Sequence, residues 1–232
     1  MISATASSRQ PRGGPPPLVP ALAYGVLMIA SVAVAAGGPR TSTPAAQALQ
    51  YARDHAGLLH ASAVLGFAAA LPLAIWTAVA YHRLRSLGVT APGAVMGLVG
   101  GTLAAGSMAL SGLITSTTAD AASTADPGLE HALVDLGFLV GGAGFVVPFA
   151  LLVAGIAVPA LLLRLIPRPL ALIGLAIAIV GMLSTFTILT SAMDATLPIG
   201  RFGGLAWITA ASITLPLTRH RDTTQPAQGV AA

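Results

Sequence analysis

The side chains able to do chemistry are few, and most gather toward one end of the apolar segments. His131 and Asp135 stand four residues apart, on one face of a helix, where they can share a proton or a metal ion. His60 stands at the corresponding end of another apolar segment. Together His60, His131 and Asp135 would supply three nitrogen and oxygen ligands and leave an open position, as a catalytic zinc requires. No HExxH or comparable signature accompanies them, and a histidine at a helix end commonly rests half-solvated at the interface.

Arg201 is the most informative single residue. It falls a turn into an apolar segment, within Pro198-Ile-Gly-Arg-Phe-Gly-Gly. An arginine there must snorkel outward, pair with a carboxylate or hold an anionic ligand. Asp135 and Asp194 are its candidate partners, and the three form a candidate ligand-binding set. Thr185, Thr187, Thr190 and Ser191 either line the same pocket or bond to their own helix backbone. His82 and His220 flank arginines and read as interface residues. Pairing His60 with His131 and His82 with His220 resembles a two-haem layout, but all four stand at membrane edges. The chain has no cysteine, which excludes disulfides, thiolate metal sites, iron–sulfur clusters and covalently attached haem. No catalytic residue and no cofactor is expected.

The elements that must position these residues follow from composition. Of 232 residues, 55% are hydrophobic and only 8% charged, against roughly 25% charged in soluble chains. That excludes a soluble catalytic domain, a second globular domain and a nucleic-acid-binding module. An all-α integral membrane protein is expected, a six-helix transmembrane bundle over residues 18–217. Crossing the hydrocarbon takes about 20 apolar residues. Six segments qualify: 18–37, 58–80, 92–115, 133–163, 169–191 and 197–217. The fourth is too long for a straight span, and Pro148 and Pro159 are expected to kink it.

Arginine placement orients the bundle. With the N-terminus cytoplasmic, eight arginines (9, 12, 83, 85, 164, 168, 219 and 221) lie inside and three (40, 53 and 201) outside. That bias places both termini in the cytoplasm. The rival reading of residues 9–35 as a secretory signal rests on Ala33-Val34-Ala35, but the apolar run exceeds the usual signal core of about 7–15 residues. The tails, 1–17 and 218–232, are rich in Ser, Thr, Pro, Gly, Gln and Ala and are expected to be disordered. Thr43-Pro44 predicts a short outer helix over residues 45–56, and Asp126-Pro127 predicts a helix start ahead of the fourth span. A weak duplication relates Gly66-Phe67, Arg85, Pro92 and Gly97 to Gly144-Phe145, Arg164, Pro169 and Gly174.

Small residues recur every fourth position as Gly93, Gly97, Gly101, Ala105 and Ala109, and as Ser62, Gly66, Ala70, Ala74 and Ala78. Such ridges let backbones approach closely where lipid supplies little hydrophobic drive. They predict a tight antiparallel hairpin of the second and third spans, with a seam for a homo-oligomer or for another membrane protein as the alternative. The lipid bilayer is the expected partner, and nucleic acid is not.

The stretch from Val147-Pro-Phe-Ala-Leu-Leu-Val-Ala-Gly through Ile199-Gly-Arg-Phe-Gly-Gly-Leu-Ala-Trp resembles a group of uncharacterised six-span bacterial membrane proteins of high-GC genomes. The resemblance covers residues 18–217. It implies a plasma-membrane bundle and carries over no catalytic residue.

The favoured function is a non-enzymatic structural or accessory role, with two alternatives. A non-enzymatic structural or accessory bundle fits the scarcity of polar groups in mid-membrane and the long packing ridges. A small-molecule carrier or permease would use an outward-facing site near Arg201. A membrane-embedded, metal-dependent hydrolase would use His60, His131 and Asp135.

Overall fold

The computed structural model describes residues 16–39 and 42–216. Arg40, His220 and nearly all of both tails, with the disorder expected of them, lie outside the described residues. Everything regular among the described residues is helical. The major helices are α1 (Leu18–Val34), α2 (Ala45–Asp54), α3 (Ala56–Ser86), α4 (Pro92–Ala121), α5 (Pro127–Gly141), α6 (Ala143–Leu162) and α7 (Arg168–Leu183). After two 3₁₀ turns come a single helical turn α8 (Thr196–Pro198), a π-helical stretch Ile199–Gly203, and α9 (Gly204–Thr214).

Four segments are long and apolar enough to cross a membrane: Ala56–Ser86, Pro92–Ala121, Pro127–Leu162 and Arg168–Ile188. The apolar α1 is shorter, at 17 residues. Apolar side chains face outward as well as inward. Val19, Leu22, Val26 and Ile29 form an exposed stripe on α1, and Val64, Phe67, Leu71 and Ile75 form another on α3. Stripes of that extent suit contact with hydrocarbon rather than water.

Helix α6 is the hub. It is buried on every side but one, the face of Gly144, Val147, Leu151 and Val158, and it packs on α4, α7, α5, α9 and the π stretch. Phe145, Phe149, Leu152 and Ile156 lie in the core with Tyr24 of α1 and the two tryptophans. Trp76 donates to Ser212 Oγ at 2.8 Å, joining α3 to α9. Trp207 donates to the Leu170 carbonyl at 2.8 Å, joining α9 to α7.

The expected hairpin of the second and third spans is present as α3 against α4, the most extensive contact in the bundle. The ridges themselves divide between neighbours. Gly101 abuts Thr77 of α3, but Gly93, Gly97 and Gly100 face α6. A Cβ on Gly100 would stand 2.6 Å from the Leu152 amide nitrogen. Ala74 and Ala78 of the other ridge are exposed, while Leu73, Trp76 and Thr77 turn inward. Steps of four residues rotate by about 40° each at 3.6 residues per turn, so five such positions sweep about 160° and cannot share one neighbour.

The fourth span is interrupted by a glycine, ahead of both prolines. Pro148 and Pro159 both lie inside α6, and the break falls at Gly142, between α5 and α6. Gly142 has φ −82° and ψ −102°. A Cβ there would stand 2.5 Å from the Phe138 carbonyl oxygen, so the break needs a glycine. Proline, by contrast, removes one ladder bond but keeps a helical φ.

Both loops that follow α3 and α6 close in the same way. Val89 N–H bonds to the Leu84 carbonyl and Gly88 N–H to that of Arg85, with Gly88 at φ 83°. Leu165 N–H bonds to the Ala160 carbonyl and Arg164 N–H to that of Leu161, with Arg164 at φ 52°. Each is a Schellman cap with a left-handed residue after the helix. Asp126 caps α5 as its sequence suggests, accepting from the Leu129 amide at 2.9 Å. In α2 the capping position is Pro44 rather than Thr43, and the helix stops at Asp54.

Candidate functional site

Arg201 sits in the π-helical stretch, where the wider turn displaces residues from α-helical register, a feature frequent at functional sites. Glycines seat this stretch on α6: a Cβ on Gly200 would stand 2.5 Å from Val146 Cγ1, and one on Gly204 would enter the Phe149 ring. The Arg201 guanidinium lies 5.2 Å from the centroid of the Phe145 ring. Its Nη2 donates to the Gly141 carbonyl, in the last turn of α5, where carbonyls have no partner within their own helix. The negative end of the α5 dipole therefore meets a cation.

Arg201, Gly141 and Phe145 form one wall of a cavity of about 170 Å³ between α1, α3, α4 and the α5–α6 break. Ser31, Ser62, Ser111 and Thr115 contribute hydroxyls, and Met28, Val32 and Met108 contribute apolar wall. The hydroxyl hydrogens are committed elsewhere. Ser31 donates to the Ser62 carbonyl at 2.9 Å and Ser62 returns a bond to the Ser31 carbonyl at 3.2 Å. Ser111 donates to Gly137 at 3.2 Å and Thr115 to Ser111 at 3.0 Å. Arg201 is thus the strong donor in the cavity wall.

No carboxylate forms an ion pair with Arg201 among the described residues. Asp135 instead approaches His131 at 3.6 Å, along its own helix. Asp194 makes no ion pair and does not line the cavity. The candidate ligand set of Arg201, Asp135 and Asp194 is therefore not brought together: Arg201 stands without either acid. Two buried atoms near the cavity, Arg201 Nε and the Tyr24 hydroxyl, have no hydrogen-bond partner among the described residues. The two side chains are close enough to interact electrostatically.

The candidate metal ligands also separate. His60 Nε2 contacts Asp120 Oδ1 at 3.0 Å and its Nδ1 contacts the Ala56 carbonyl at 2.9 Å. Among the described residues, no three His, Asp or Glu side chains gather as a metal ion would need. The hydroxyls near the end of α7 serve the backbone: Thr185 bonds to Met182, Thr187 to Ser184, and Thr190 accepts from the Ala192 amide. None of these belongs to the Arg201 cavity.

Sequence reasoning singled out Arg201 but not the cavity hydroxyls. A signal was present for Ser31, a lone serine hydroxyl in an otherwise apolar stretch, but not for Ser111, which lies among other serines and threonines. Scans of protein-family models and searches of curated proteins and solved structures found no match to this chain.

Proposed function

We propose that the chain is a plasma-membrane protein of six spans with cytoplasmic termini, and that it is a carrier or permease whose outward-facing site is the Arg201 cavity. Apolar α1 and the segment from α8 to α9 flank the four long helices, and would complete six crossings. The arginine distribution supports the orientation. The observation that carries the functional reading is Arg201 itself, a cation in the wall of an interhelical cavity with no carboxylate paired to it among the described residues. Charge at such depth is costly, and an incoming anion would offset it.

A structural or accessory role is the second reading, favoured by the close glycine packing of α4 on α6. Gly155 meets the backbone at Gly93 and Gly97 there, so this packing is satisfied within one chain. A metal-dependent hydrolase would need His60 to leave Asp120 and join His131 and Asp135.

The thiol-free chain allows a direct test. Arg201→Cys is treated from outside intact cells with a membrane-impermeant maleimide, alongside Ser123→Cys in the exposed loop after α4. Labelling at both positions is expected. Labelling at 123 with protection at 201 would mean a sealed cavity and would favour the structural role.

A further inference from the structure

The chemistry of the cavity wall narrows what it can hold, and this narrowing rests on the carrier reading above. Among the described residues, one cation, Arg201, and no acid line the wall. A single negative charge brings the site to neutrality in a low-dielectric setting. A dianion would leave one charge in excess, and a zwitterion would leave the arginine uncompensated. The donor is a planar guanidinium, whose geometry matches a carboxylate better than a spherical anion. The serine and threonine hydrogens are already bound to backbone carbonyls, so they do not substitute for Arg201 as donors to an anion.

Size and polarity set the remainder of the ligand. A cavity near 150 Å³ holds benzene, so about 170 Å³ accommodates about six to eight heavy atoms. Beyond Arg201, the wall is built from Phe145, Met28, Val32 and Met108 together with hydroxyl-bearing residues. We propose that the cavity binds a small monocarboxylate with a compact apolar body, its carboxylate on Arg201 and its carbon chain against Phe145 and the two methionines.

Equilibrium dialysis of the full chain in detergent micelles with radiolabelled hexanoate tests the class. Saturable binding is expected, displaced by butyrate and valerate. Hexanamide, hexylamine, glutarate and inorganic phosphate are each expected to compete at least about tenfold more weakly than hexanoate, the difference that one charged hydrogen bond supports. Arg201→Gln is expected to weaken hexanoate binding about tenfold to hundredfold, and Arg201→Lys less. The ligand series on the unaltered protein decides the matter even if a variant fails to fold. Hexanamide competing as well as hexanoate would overturn the class by showing that charge is not read. Tighter binding of glutarate or phosphate, lost in Arg201→Gln, would overturn it while leaving the anion carrier standing. Absence of binding by every compound, together with protection at 201 from the maleimide, would overturn the class and the carrier reading together.

Discussion

Arg201 lies over the ring of Phe145, 5.2 Å from its centroid, and the two residues come from elements that pack on each other, the π stretch and α6. Phe145 belongs to the first turn of α6, just past the break, and Arg201 to the π stretch that packs on α6. A desolvated cation–π contact of this kind is worth about 2 kcal/mol. Phe145→Leu should lower the unfolding free energy in mixed micelles by at least that much, since packing is lost as well. An unchanged denaturation midpoint would show that the ring does not hold the guanidinium.

The break between α5 and α6 separates two glycine and proline effects that can be measured side by side. Gly142→Ala sets a methyl group against the Phe138 carbonyl and should destabilise by about 1–3 kcal/mol, the range for overpacking. Pro148→Ala, inside α6, should change stability by less than about 1 kcal/mol, because the helix runs on through it. Reversal of that order would point to the proline instead.

Arg164 holds a left-handed conformation at φ 52°, in the cap position that Gly88 fills after α3. A side chain costs about 1 kcal/mol there, so Arg164→Gly should raise the unfolding free energy by about that amount. The same substitution removes one of the arginines assigned to the cytoplasmic side. Maleimide accessibility at Ser123→Cys checks that orientation survives.

Tyr24 is fully buried and its hydroxyl has no hydrogen-bond partner among the described residues. Tyr24→Phe removes an unsatisfied polar group and should stabilise by about 1 kcal/mol. A loss of stability instead would show that the hydroxyl serves the neighbouring Arg201 Nε.

Composition alone made the helical, apolar character of the chain legible, and the cap at Asp126 was visible as a local Asp-Pro pair. What was not legible depended on which helices abut. A kink is expected at Pro148 and Pro159 because proline's steric effect is local, whereas the break at Gly142 depends on how closely its backbone meets the Phe138 carbonyl. The four-residue ridges marked small residues correctly but not their partners, since a ridge of that length rotates away from any single neighbour. At the cavity, Arg201 stood out because charge in an apolar segment is rare. Ser31, Ser62, Ser111 and Thr115 did not, because serine and threonine in membrane helices usually bond to their own backbone, and only assembly brings four of them around one arginine.

The two tryptophans, the only ones in the chain, both anchor α9 through their indole N–H groups, one from α3 and one toward α7. Both rings are buried, and Trp207 is six residues from Arg201. The protein consequently carries an intrinsic optical reporter on the helix that presents its arginine. Any shift of that helix must strain or release an indole hydrogen bond, and so change the emission wavelength without an added dye.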